Sequence, residues 1–312
     1  MNYSSGSNFE SPGSFSRNGV GIVRQALNPE EVEMLRRFAL SQIHGQGDPV
    51  QLFPRHVFAE PEFRLIPFRE RIVSALRASL GDPLTYIPSM TLHYNQFGHG
   101  WHTDSSSEAH QPYLQSSNYR FAKCGVYLQD NTEDWGGGIV VVPGAHTYPI
   151  RSPFLVLNRK FKTTMNRLRK TLGAVTVDIR AGDMIFFDSR LPHKSSLPSG
   201  IPKPTKESRT QEPIEIPDEH AKLILYWDAC NGEMARDFME NSIRRAGKIP
   251  GELDGSVAFF SDYIRHRFPD NYPEDFVSAA TTHNVEIASL SASECAAHDR
   301  EFRSRVTSSS DG

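Results

Sequence analysis

Hydrophobic positions in the first eighty residues repeat at helical spacing. Val32, Leu35, Phe38, Ala39 and Ile43 form one apolar stripe and predict a helix over about 29–42. Asn28 can cap it, Pro29 fits its first position, and Glu31 stands where a capping box wants an acid. Phe68, Ile72, Ala75, Leu76 and Leu80 predict a second helix over 67–80, stopped by Gly81 and Pro83. A short strand is expected ahead of both, at Gly19–Arg24. From 84 onward the period shortens to that of strands. Strand-like runs fall at about 84–96, 124–130, 139–142, 174–179, 184–187 and 222–229. Asp134–Gly138, Pro143-Gly144 and Ala181-Gly-Asp183 supply turns between them. Many short strands with such turns predict a mainly β fold with flanking helices, of double-sheet jelly-roll class. After 230 the spacing becomes helical again, from Glu233 to Ala246, and the aromatic stretch at 259–263 is expected to pack on the sheet.

The pattern is interrupted in three places. Residues 105–122 are polar, and 194–219 hold five prolines with alternating charges; both follow a candidate metal ligand, so either could form a rim or lid. Residues 159–170 are basic and read as a solvated helix, with an anionic substrate handle as the sharper reading. Residues 1–18 and 303–312 are rich in small polar residues and read as disordered tails. With no internal repeat, one domain over 19–302 is expected, its jelly-roll core at about 84–230.

Composition narrows the class. The chain has 312 residues and a formal net charge of −3, which gives no electrostatic case for nucleic acid or an anionic membrane. Cys124, Cys230 and Cys295 have no paired spacing, which suits reduced cysteines rather than a disulfide framework or zinc site. No apolar run approaches the roughly 18 residues of a membrane span, and the first residues lack a secretory pattern. The expectation is a soluble cytoplasmic protein.

The candidate chemistry centres on His102-Thr103-Asp104. In extended backbone, residues two apart project to one side, so the imidazole and carboxylate form two legs of a metal clamp. His193, in Asp183-Met-Ile-Phe-Phe-Asp-Ser-Arg-Leu-Pro-His193, is the best third leg, since a strand runs into it as one runs into the pair. Two histidines and a carboxylate on one face of a metal leave positions for a chelating cosubstrate and O₂, the arrangement of non-haem Fe(II) oxygenases. Other histidines compete less well: His93 sits on a strand, His99 between glycines, and His146 in a turn.

Three stretches together resemble the phytanoyl-CoA dioxygenase family: Trp101-His-Thr-Asp104, Gly136 to His146, and Ala181-Gly-Asp-Met-Ile-Phe-Phe-Asp with Leu191-Pro-His193-Lys-Ser195. The resemblance covers roughly 19–230. It implies a double-stranded β-helix (jelly roll, cupin-like) with Fe(II), 2-oxoglutarate and O₂. It carries the metal roles onto His102, Asp104 and His193, and a contact with the cosubstrate onto Ser195. The family's arginine for the far carboxylate of 2-oxoglutarate has no counterpart at the expected spacing. Lys222, Arg209 and His220 are the candidates, with Lys222 favoured because a strand holds an anchor more rigidly than a proline-rich loop.

The expected activity is hydroxylation of an unactivated C–H of a small molecule, with release of succinate and CO₂. Asp104 argues against a halogenase, in which a small residue stands at this place. Three alternatives remain at this point: a protein hydroxylase or demethylase, a cupin-like metal enzyme not using 2-oxoglutarate, and a non-catalytic binding protein retaining the fold.

Overall fold

A computed structural model describes residues 9–11, 13–45, 47, 51–52, 54–96, 100–104, 114, 116, 118–132, 134–136, 138–147, 173–196, 199, 216–232, 234–239 and 272–289. The basic segment 159–170, the aromatic stretch 259–263, Arg209 and the C-terminal tail lie outside the described residues, as do most of 105–122 and 194–219.

Among the described residues the α-helices include α1 (Ser14–Asn18), α2 (Pro29–Gly45), α3 (Pro54–Ala59), α4 (Pro61–Arg64), α5 (Glu70–Leu80) and α6 (Glu274–Thr282). A further helical run covers 234–239, inside the helix expected from Glu233. The strands among the described residues are β1 (Val20–Val23), β2 (Gln51–Leu52), β3 (Leu84–Tyr94), β4 (Phe121–Tyr127), β5 (Ile139–Val141), β6 (Val175–Thr176), β7 (Met184–Asp188), β8 (His193–Ser195), β9 (Leu223–Asn231) and β10 (Glu286–Ile287). They form a seven-stranded sheet, ordered β1-β7-β4-β9-β3-β10 with β2 also on β3, and a three-stranded sheet, β6-β5-β8. The late strand β9 lies between β3 and β4, so the chain returns to the middle of the large sheet. Two facing sheets with such returns make the jelly roll expected from the strand spacing.

Strand alternation divides the side chains of the large sheet between two cores. Leu84, Tyr86, Leu92, Cys124, Val126, Phe186, Leu225 and Trp227 face the helices and pack with Val32, Leu35, Ala39 and Ile43 of α2 and Ile72, Leu76 and Leu80 of α5. Val20, Ile22, Tyr127, Ile185, Phe187 and Ile224 face the small sheet, where Ile139, Val141 and Val177 meet them. The site is built on this second, inner face.

The capping box at α2 forms as expected: the Glu31 amide donates to Asn28 Oδ1 and the Asn28 amide donates to a Glu31 carboxylate oxygen, both at 2.9 Å. Two expectations shift. The second helix begins at Glu70 rather than 67, because Ile66–Phe68 forms a 3₁₀ turn and Arg69 is extended (φ −60°, ψ 133°). Pro67 fits that turn, which leaves Phe68 buried as the expected apolar stripe requires. Within the expected N-terminal tail, Ser14–Asn18 is helical, and Phe15 stacks on Phe186 at 5.5 Å.

The Ala181-Gly-Asp183 turn fastens β1 to the sheet. Gly182 adopts φ +85°, and a Cβ there would stand 2.5 Å from the Leu27 carbonyl oxygen. Asp183 accepts from Arg24 Nη1 at 2.6 Å and from the amides of Gln25 and Arg180 at 2.9 and 3.0 Å.

Candidate metal centre

His102 and His193 are brought together by backbone, since each amide donates to the other's carbonyl oxygen, at 3.0 and 2.9 Å. This antiparallel bridge extends the edge of the small sheet beyond β8 and sets the two imidazole centroids 4.2 Å apart. β8 is in turn fixed on β5, with His193 opposite Val141 and Ser195 opposite Ile139. The turn entering β8 is braced by a buried ion pair: Arg190 donates to both Asp188 oxygens, at 2.9 and 2.7 Å, and its guanidinium lies 4.1 Å from the Tyr119 ring centroid.

Each imidazole is oriented through Nδ1. His102 Nδ1–H donates to the Gly100 carbonyl oxygen at 2.7 Å, and His193 Nδ1–H donates to that of Leu191 at 2.9 Å. Both bonds leave an Nε2 lone pair directed inward, the tautomer a metal requires. Asp104 completes the group, with Oδ1 3.6 Å from His102 Nε2 and 3.7 Å from His193 Nε2. Among the described residues these three are the group able to hold a metal, their ligand atoms all within 4.8 Å of one another.

The electrostatics fit a cation. Burial opposes ionisation of Asp104, yet His193, His102 and Lys123 together hold its carboxyl well below the usual range, so it stays an anion. Burial lowers the pKa of His193 and favours its neutral, ligating form. The Asp104 carboxylate, 3.6 Å from its Nε2, raises the pKa of His102. Two imidazole nitrogens and a carboxylate oxygen on one side of a common point suit Fe(II) with coordination positions left over.

The structure also places other expected residues. Ser195 is two residues beyond His193 on β8. Lys222 is buried just before β9, where its ammonium donates to the Gln96 carbonyl oxygen at 2.7 Å; burial lowers its pKa to about 7. His220 stacks on Trp135 at 4.0 Å. His93 meets the Tyr226 ring edge-on at 4.9 Å, and His146 is buried against the Ser16 carbonyl.

Two charged residues inside the roll were not expected. Lys123 on β4 and Asp228 on β9 are register partners, and Lys123 Nζ lies 3.5 Å from Asp228 Oδ1. Asp228, 1% exposed, also accepts a short hydrogen bond from the Ser89 hydroxyl. The sequence signal is a single charge inside an apolar strand: Lys123 in Phe-Ala-Lys-Cys-Gly-Val-Tyr127 and Asp228 in Leu-Ile-Leu-Tyr-Trp-Asp228. Ser89 reaches Asp228 because two extra residues bulge from β3 between Ile87 and Thr91.

Comparison with known proteins places the architecture. A family model described as phytanoyl-CoA dioxygenase matches residues 15–197. No curated protein sequence matches the chain. Among solved structures, the non-haem alpha-ketoglutarate-dependent carbocyclase SnoK from nogalamycin biosynthesis is 14% identical, with 74% of this chain and 88% of that chain covered and a TM-score of 0.50. EvdMO1 is 15% identical over 71% of this chain and 49% of its own, TM-score 0.50. EctD from S. alaskensis, solved with 2-oxoglutarate and 5-hydroxyectoine, is 18% identical over 70% and 74%, TM-score 0.48. At such identities the likeness is one of fold.

Proposed function

Since the chain belongs to the phytanoyl-CoA dioxygenase family, we propose that it is a non-haem iron, 2-oxoglutarate-dependent oxygenase that hydroxylates an unactivated C–H of a small molecule. The observation that carries the reading is the convergence of His102, Asp104 and His193, whose ligand atoms lie within 4.8 Å of one another.

Iron(II) bound with 2-oxoglutarate and O₂ supplies the oxidation: the cosubstrate becomes succinate and CO₂ with one oxygen atom, and the other enters the C–H bond as hydroxyl. The chain's own residues do the rest. His102 and His193 would offer Nε2, each imidazole fixed by its bond to a backbone carbonyl, so little reorganisation accompanies binding. Asp104 would supply the anionic ligand, its charge favoured by the Lys123 ammonium and the two imidazoles beside it. The ring of Phe187, 4.7 Å from that of His193, and the apolar inner core behind it limit water at the buried side of the clamp. Asp104 and His102 stand about one-third exposed, so a substrate reaches the site from the rim.

The test is conversion of 2-oxoglutarate to succinate by the full chain in the presence of Fe(II) and ascorbate, without added substrate. The wild type is expected to turn over slowly and His102→Ala to show no turnover above the protein-free control. Equal rates in the two proteins would sink the assignment.

A further inference from the structure

An interior lysine of a jelly roll requires a reason, because burying an ammonium is costly unless an anion or acceptor meets it. On β4 the neighbours of Lys123, Ala122 and Cys124, belong to the helix-facing core. Lys123 therefore projects the other way, toward the small sheet and the metal clamp. Strand register fixes its height: it pairs with Phe187 on one side and Asp228 on the other, and the Phe187 ring lies against His193. Its charge acts on both Asp104 and His193. The ammonium is 3.5 Å from Asp228, longer than the about 2.7–2.9 Å of a closed charge-assisted hydrogen bond. It rests 5.6 Å from the centroid of Tyr226 and its side chain is 22% exposed. Donor capacity thus remains on the sheet face that also meets the clamp through Phe187.

Lys222 stands differently. It lies six residues before Asp228, roughly 20 Å along an extended strand, and its ammonium already donates to the Gln96 carbonyl oxygen. Five carbons joined by bonds of about 1.5 Å span roughly 5 Å. A diacid whose keto-acid end is at the clamp therefore ends near the level of Lys123.

We propose that Lys123 pairs with the far carboxylate of the cosubstrate, while Asp228 and Ser89 position its ammonium. This rests on the 2-oxoglutarate reading above. Gly125, two residues along β4, makes room for the Tyr226 ring beneath that ammonium, since a Cβ there would come within 2.7 Å of the ring. The anchor is a point charge on the wall of the large sheet rather than a planar guanidinium, so it favours any short 2-oxo diacid of suitable length.

The experiment is anaerobic calorimetric titration of the Fe(II)-loaded full chain with 2-oxoglutarate and with pyruvate, which has the same keto-acid end but no far carboxylate. In Lys123→Met/Asp228→Asn, where no buried carboxylate is left unpaired, 2-oxoglutarate affinity is expected to fall about 10- to 100-fold, the size of one hydrogen bond to a charged group. Pyruvate affinity should change less than about twofold. Lys123→Arg, which keeps the charge, should retain the preference for the diacid and guards against a folding defect in the double variant. An unchanged 2-oxoglutarate-to-pyruvate ratio in Lys123→Met/Asp228→Asn would overturn the proposal alone, as would collapse of that ratio in Lys222→Met with no effect at 123. A wild type that binds no Fe(II), or binds it and then takes up neither acid, would overturn the oxygenase reading and the anchor with it.

Discussion

Replacing Lys222 by methionine turns its burial into a measurable dependence on pH. The residue is 6% exposed, and burial brings its pKa to about 7, against about 10.4 in an unfolded chain. Between those values the unfolded chain binds a proton that the folded chain does not, so wild-type stability rises with pH across that window. Below about pH 7 the full penalty is present, and above about pH 10.4 it has gone. At 1.36 kcal/mol per unit, the whole effect is about 4–5 kcal/mol. Lys222→Met keeps the length of the stem and removes the titration, but leaves the Gln96 carbonyl oxygen without that donor, at a cost of about 1–3 kcal/mol. The variant is therefore expected to be more stable than wild type at pH 7 by about 1–4 kcal/mol. That advantage should shrink by about 1.4 kcal/mol per pH unit between pH 8 and 10. Urea unfolding at four pH values, followed by fluorescence of the buried Trp227, measures it. A difference between the two proteins that does not change with pH would refute the reasoning, whatever its size at neutrality.

Two further substitutions test how the clamp is supported. Gly182→Ala places a Cβ against the Leu27 carbonyl oxygen at φ +85° and should cost at least about 2 kcal/mol, read as a lower denaturant midpoint with an unchanged m-value. Arg190→Leu strips both guanidinium hydrogen bonds from Asp188, which is 1% exposed and keeps the bond from the residue-190 amide, and should cost about 3–5 kcal/mol. Adding Asp188→Asn to that variant should recover part of the loss in the same urea titration.

The elements legible in the sequence are those whose periodicity persists over several residues. The stripe from Val32 to Ile43 and the box formed by Asn28 and Glu31 define α2 locally, and tertiary packing agrees with them. β3, β7 and β9 were legible because alternation and β-branched or aromatic content ran together. Strands of two or three residues carry no period: β2 and β10 owe their existence to the edge of β3 that they join. The second helix was expected three residues early because its apolar stripe continues through Phe68 into the preceding 3₁₀ turn. The metal clamp was legible because His102 and Asp104 are neighbours in sequence and a strand leads into His193. The Lys123–Asp228 pair was not, because it depends on the register between β4 and β9, and Ser89 joins it only through the bulge in β3. Such cross-strand pairing is set by the assembled sheet, not by local spacing.

The proposed chemistry depends on where iron settles. Crystals of the full chain grown anaerobically with Fe(II), measured on both sides of the iron absorption edge, locate it without any assumption about activity. A single anomalous peak bonded to Nε2 of His102, Nε2 of His193 and a carboxylate oxygen of Asp104 is the predicted result. A peak at other residues, or none in the presence of excess Fe(II), would contradict the account.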